Sequence, residues 1–331
     1  MKFSELKNFF RRIIFYVAYL LILIILAEIL LFGLAYVSQK KMFRSWTFKK
    51  QIEKYYTKAQ YEMSEFTEDR FRKDLGTSSN KKSILVFGCS HLFGAGLEEN
   101  QTFSYKLSKA TNRPVYNRAY WAWAPQHMLY ILQTQKWIKG IKEPEYIITM
   151  FIPDYDERFY LHQGWPFDSG VYLRYKIDRQ NNLKRLPTER YPWYWRLFIT
   201  KYTQYFIQNN IEKPNKDYSN RLYVRMMQES MNLIKSKYPN TKVLLFLYKG
   251  DFATDNPNTK IMQNKDFFND EPFSQNSLNE LEKMGYIIVN LETIVNHSLE
   301  TREYKIDGDP THPNEKVWDE VIPILQKKFN M

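Results

Sequence analysis

Five short, continuous apolar runs limit what this chain can become. They are Ser83–Gly88 (SILVFG), Pro114–Asn117 (PVYN), Tyr146–Ile152 (YIITMFI), Lys242–Tyr248 (KVLLFLY) and Tyr286–Asn290 (YIIVN). Each has strand length and lacks a polar/apolar alternation, so each predicts a strand covered on both faces. Helix-like stretches lie between them. Thr102–Ala110 sets Phe103 and Leu107 four apart, and Pro125–Lys139 opens with a proline, as helices often do. Tyr218–Lys237 carries Val224, Met227, Met231 and Ile234 at helical spacing, and Gln275–Met284 and Pro313–Lys328 complete the set. Doubly covered strands alternating with helices predict an α/β domain of three layers, α/β/α, around a five-stranded parallel sheet.

The chain has 331 residues, enough for one such domain and an appendage. The appendage is N-terminal. Residues 13–37 form an apolar run interrupted by Glu28. At about 1.5 Å per helical residue the run spans a bilayer core with some tilt. No small-residue cleavage pattern follows it, so it reads as an uncleaved transmembrane signal anchor behind a tail at 1–12. Basic residues flank both ends: Lys2, Lys7, Arg11 and Arg12 before, Lys40, Lys41, Arg44, Lys49 and Lys50 after. The expected orientation keeps the short tail inside and the large C-terminal part on the extracytoplasmic side. Glu28 faces a partner helix or is a neutral acid. Residues 38–80 are polar and charged and read as a linker, and 81–331 as the globular domain. Between the third and fourth strands the chain is too long for a simple crossover, which predicts an insertion at about 156–217. Inside it, VYLRYKI and LKRL flank DRQNN and read as a β-hairpin. The aromatic stretch YPWYWRLF follows, either lining a groove or packing the insertion onto the domain.

The net charge of +12 suits a basic surface or an anionic partner, with the bilayer among the expected partners. No nucleic-acid recognition motif accompanies the charge, so nucleic acid is not an expected partner. Cys89 is the one cysteine, which excludes an internal disulfide and a cysteine-based zinc site. His91, His127, His162 and His297 include no pair at metal-ligand spacing, and neither a metal nor any other cofactor is expected. His91 reads as a packing or surface residue because neighbours in sequence usually point apart, and His127 as a residue that could line a pocket.

Two blocks carry chemistry. FGCSHLFGAG, residues 87–96, follows the first strand and precedes a helix. Sites form at the carboxyl ends of strands in open parallel sheets, and a serine in such a turn sits beside backbone N–H groups able to hold an oxyanion. DGDPTHPNEKVW, residues 307–318, puts Asp309 three before His312 in an expected loop ahead of the last helix. An aspartate there can fix the imidazole tautomer while the other nitrogen takes a serine proton. Taken alone, each block also reads as a capping loop.

Together the blocks resemble the SGNH/GDSL hydrolase family over roughly residues 81–327. FGCSHLFGAGLEENQTF is similar to that family's first block, with Ser90 at the nucleophile and Cys89 where its aspartate is common. DPTHPN is similar to its last block, with Asp309 and His312 as the other two members of a Ser-His-Asp triad. YNRAYWAWAP matches the second block at Asn117, with Ala119 and Ala122 where glycines are expected. FIPDYDERF matches the third block with Asp154 at the family's asparagine, and a carboxyl group there donates to an oxyanion only when protonated. The resemblance implies a flavodoxin-like sheet and an oxyanion and substrate region around Gly94, Asn117, Ala119 and Asp154. It also implies a membrane-anchored serine esterase or O-acyltransferase acting on acyl esters, acetyl foremost, of cell-envelope carbohydrate. A membrane-bound O-acyltransferase is then a further partner. The alternative is a weakly active or inactive SGNH-like binding or assembly protein of the envelope.

Overall fold

The computed structural model describes residues 3–38, 71–77, 79–120, 123–152, 175–185, 216–249 and 275–331. The chain divides into two compact units. The described part of the first unit is helix α1 (Phe3–Ser38). Its large apolar side chains from Ile13 to Leu26 and at Ile29 and Leu30 are exposed. The expected membrane segment lies in this helix. Among the described residues, which leave out the side chains of Glu28 and of 31–38, no helix is long and apolar enough to cross a membrane.

The second unit holds the sheet. Strands β1 (Ile84–Val86), β2 (Val115–Asn117) and β3 (Tyr146–Phe151) fall inside the first three apolar runs. A hairpin, β4 (Tyr175–Ile177) and β5 (Leu183–Arg185), lies in the insertion where the sequence predicts one. Its turn is pinned by Asp178, whose Oδ1 accepts from the backbone N–H groups of Gln180 and Asn182 at 2.9 and 2.8 Å. Strands β6 (Lys242–Leu247) and β7 (Tyr286–Asn290) complete the sheet. Its order is β2-β1-β3-β6-β7, all parallel. The expected α/β architecture with a five-stranded parallel sheet is therefore what the structure has.

All six residues of β3 are buried, as a strand covered on both faces must be. The covering helices form two groups. Helix α3 (Phe103–Thr111) packs on the C-terminal helix α8 (Glu315–Phe329), and α4 (Pro125–Thr134) packs on α5 (Lys216–Lys237), which also meets α6 (Gln275–Met284). Helix α2 (Ser90–Phe93) is a single turn after β1, and α7 (Leu291–Val295) follows β7. A small antiparallel hairpin, β8 (Lys305–Ile306) and β9 (Asp309–Pro313), precedes α8.

Three boundaries depart from the sequence reading. Helix α4 stops at Thr134 rather than Lys139, because Gln135 and Trp137 adopt left-handed backbone at φ 56° and 62°. The last helix starts at Glu315 rather than Pro313. Asp309–Pro313 is drawn into β9, and Asn314 caps the helix by accepting from the Lys316 N–H at 3.1 Å. Finally, part of the expected linker belongs to the globular unit. Phe71 and Arg72 are buried, Leu75 pairs with Val115 at the edge of β2, and Asp74 receives both terminal nitrogens of Arg118 at 2.6 and 3.1 Å. The aromatic stretch YPWYWRLF lies outside the described residues.

Candidate active site

The strand order reverses between β1 and β3, and in such sheets the crevice at that reversal is where ligands sit. Block FGCSHLFGAG leaves β1 at this point. Cys89, in extended conformation, precedes one helical turn that opens at Ser90 and closes at Gly94, whose φ is +79°. Gly94 has no substitute here: a Cβ on it would lie 2.7 Å from Thr102 Cγ2, on top of the left-handed backbone. Gly94 thus shapes the turn from its far end.

Two buried side chains clamp the turn. Arg72 donates to the carbonyls of Phe93 at 3.2 Å, Gly94 at 2.7 Å and Leu97 at 2.8 Å, and pairs with Glu99 at 3.3 Å. Asn117 donates through Nδ2 to the Leu92 carbonyl at 2.9 Å and to Ser104 Oγ at 2.8 Å. Each satisfies carbonyls that a one-turn helix leaves without intrahelical partners.

The second block approaches from the β8–β9 hairpin. The hairpin packs closely on the first block, since a Cβ on Gly96 would lie 2.9 Å from Ile306 Cδ1 in β8. The packing brings His312 to Ser90 across the sequence. His312 Nε2 lies 2.8 Å from Ser90 Oγ, and Nδ1 lies 2.6 Å from Asp309 Oδ2. An ionised carboxylate only accepts, so the imidazole proton sits on Nδ1 and Nε2 accepts from the serine hydroxyl. The other carboxylate oxygen, Oδ1, accepts from Thr311 N–H at 3.0 Å, Thr311 Oγ1 at 2.8 Å and His312 N–H at 3.3 Å. Burial alone would raise the Asp309 pKa. The charge of His312 and the hydrogen bonds from His312 and Thr311 outweigh it and hold the carboxyl well below its usual range. Asp309 is therefore a fixed anion behind the imidazole.

The structure thus brings together three of the expected site residues, Ser90, Asp309 and His312. It gives the others different work. Asn117 is fully buried, and its Oδ1 accepts the Ala119 N–H at 2.9 Å. The single donor of Ala119 is then spent inside the fold, so Asn117 and Ala119 do not form the expected oxyanion wall. Gly94 likewise shapes the turn. Asp154 and Ala122 lie outside the described residues. The first-turn N–H groups of α2, that of Ser90 among them, have no intrahelical carbonyl to reach.

His91 is the residue that sequence reasoning misplaced. Far from pointing away, it stacks on His312 with ring centroids 5.0 Å apart and planes 25° from parallel. In a one-turn helix successive side chains diverge by about 100°, not the 180° of a strand, so neighbours can serve one site. His127 stacks on Trp123 at 4.9 Å and, with Gly88 and Arg118, lines a small pocket.

No family model matches the sequence, and no curated protein matches it. Solved structures do. One is a protein from Parabacteroides merdae described as a GDSL-like lipase, at 11% identity over 75% of this chain and 95% of that one, with a TM-score of 0.42. Another is an acetyl xylan esterase from the rumen bacterium Butyrivibrio proteoclasticus, at 9% identity over 76% of this chain and 65% of that one, with a TM-score of 0.42. A third is a member of the lipolytic protein G-D-S-L family from Veillonella parvula, at 11% identity over 76% and 99%, with a TM-score of 0.41. The chain is similar, then, to solved GDSL-type lipolytic proteins and a carbohydrate esterase.

Proposed function

We propose that this protein is an SGNH-type serine esterase or O-acyltransferase working through Ser90, His312 and Asp309. The observation that carries the reading is the hydrogen-bonded row from Ser90 Oγ through both ring nitrogens of His312 to Asp309, at 2.8 and 2.6 Å. Ser90 Oγ attacks an ester carbonyl carbon while its proton passes to His312 Nε2. The resulting imidazolium is stabilised by the Asp309 anion. His312 then returns the proton to the leaving alkoxide, and an acyl-serine forms. Water or a second hydroxyl group, deprotonated by His312, attacks the acyl carbon, and as the bond to Ser90 Oγ breaks His312 returns that proton to the serine. Water gives hydrolysis, and a sugar hydroxyl gives transfer. The Ser90 N–H is the backbone donor best located for the oxyanion.

Two features of the sequence support a setting at the cell envelope: the apolar run at 13–37 and the net charge of +12. They suit a single-pass membrane protein with its catalytic domain outside the cytoplasm, acting on acyl groups, acetyl foremost, of an anionic envelope carbohydrate. Such a protein can work beside a membrane-bound O-acyltransferase. A second reading, an SGNH-like binding or assembly protein without turnover, draws on the spent Ala119 N–H, which removes one oxyanion donor. Losing one donor costs about 3 kcal/mol of transition-state stabilisation.

Labelling with a fluorophosphonate, which phosphonylates activated serines, separates the two. The esterase reading expects wild type to label and Ser90→Ala not to, with hydrolysis of 4-nitrophenyl acetate lost in the same variant. Equal labelling of the two proteins would leave the non-catalytic reading standing.

A further inference from the structure

Behind the row of Ser90, His312 and Asp309 stands a second histidine that the mechanism above does not use. His91 is buried, and both of its ring nitrogens meet polar groups. Nε2 lies 3.2 Å from the Thr311 carbonyl, which only accepts, so Nε2 carries a proton and donates. Nδ1 lies 3.1 Å from Cys89 Sγ and can accept the thiol proton. One face of the ring stacks on His312 at 5.0 Å, and the ring of Tyr248 meets it edge-on at 5.3 Å. Tyr248 is itself fixed. Its hydroxyl accepts from Lys305 Nζ at 2.8 Å, and Lys305 forms a buried ion pair with Glu300 at 2.8 Å.

The Thr311 carbonyl is a telling target. Thr311 sits between Asp309 and His312, and its N–H and hydroxyl both bond Asp309 Oδ1. His91 is thus bonded to the peptide that carries the base, and stacked on the base itself. It also follows Ser90 directly in α2, so one residue ties the nucleophile's turn to the base's strand. A ring held only by Asp309 at one end can still tilt about that bond. A ring also backed by a flat neighbour cannot tilt on that side. Small errors matter here, because misplacing reacting groups by about 1 Å can cost on the order of a hundredfold in rate.

We propose that His91 is a positioning residue for the general base, holding the Thr311 peptide and the His312 ring in line with Ser90. The proposal rests on the esterase reading above and adds to it. His91 touches no reacting atom; it acts through His312. The groups that face it among the described residues include Cys89 from its own turn, Thr311 and His312 from β9, and Tyr248 after β6, with the Lys305–Glu300 pair behind Tyr248.

The test is fluorophosphonate labelling of the full-length protein, followed in time, for wild type, Ser90→Ala, His91→Ala and His91→Gln. The end point counts the folded, competent sites, and the rate constant reports activation of Ser90 at each of them. His91→Ala is expected to reach the wild-type end point with a rate constant lower by about tenfold or more. His91→Gln, whose amide can still donate to the Thr311 carbonyl, is expected to recover part of that loss. With 4-nitrophenyl acetate the loss should fall on kcat with KM little changed. An unchanged rate constant in His91→Ala overturns the proposal. So does a lowered end point with a normal rate constant in both variants, which marks a merely structural role. If wild type labels no faster than Ser90→Ala, the failure belongs to the esterase reading, and the positioning role falls with it.

Discussion

The most exacting residue in the site is Asp309. It accepts four hydrogen bonds, one from the imidazole and three from the Thr311 and His312 backbone and hydroxyl groups. Its folded-state pKa is depressed against the pull of burial. A depressed carboxylate adds stability that is fully present above the unfolded value of about 3.9 and lost as pH falls below it. The urea midpoint of wild type should therefore drop on acidification below about pH 4 more steeply than that of Asp309→Asn. At neutral pH the same substitution should lower kcat on the order of 10⁴-fold, because an amide can leave the imidazole in the wrong tautomer. A flat difference in acid sensitivity, or an unimpaired kcat, would count against the fixed-anion account. At this scale the sequence was legible where spacing is short. Asp309 and His312 announce themselves three apart, and Ser90 is flanked by glycines. It was illegible where the partner is a carbonyl. Arg72 and Asn117 bind main-chain oxygens more than twenty residues away, and a carbonyl leaves no mark on a sequence.

At the scale of elements, the site depends on a helix too short to be stable alone. A single turn has a nucleus's cost and almost none of the return of propagation. Helix α2 persists because Gly94 ends it, Arg72 and Asn117 take its carbonyls, and strand β9 packs on it. Gly94→Ala meets both the left-handed backbone and Thr102 Cγ2. It is expected to destabilise the protein by about 1–3 kcal/mol, and chemical denaturation would measure it. A loss within experimental error would mean that the turn yields and is not the rigid support described. The five strands were readable because burial on both faces writes an unbroken apolar run. The hairpin around Asp309 was not, because its pairing is only a few residues long and its sequence, DGDPTHP, reads as a loop.

For the molecule as a whole, the limits of the working domain matter more than its length. A chain starting at Lys81, the boundary that composition suggests, loses Arg72, the Asp74–Arg118 pair and the Leu75 bridge. A chain starting just before Phe71 keeps them. Removing one member of a buried, hydrogen-bonded charge set costs about 3 kcal/mol or more, and for a domain of this size each kcal/mol moves Tm by about 2–4 °C. The shorter chain should thus melt on the order of 10 °C below the longer one, in the same buffer. Both should leave the membrane fraction with which the full chain, on the anchored reading, sediments. Equal melting temperatures would return the segment to linker status. Continued sedimentation of either short chain would argue against residues 13–37 as the anchor.

Ser90 and His312 are separated by 222 residues, and all five sheet strands are laid down from just before the first of them to just before the second. On the esterase reading, a ribosome makes the nucleophile long before its base. Until β9 emerges, a nascent chain holds a serine with no base to take its proton. On that reading, acylating power arrives only once β9 has been made. A chain stalled in synthesis, or nicked after Gly308, carries Ser90 but cannot arm it.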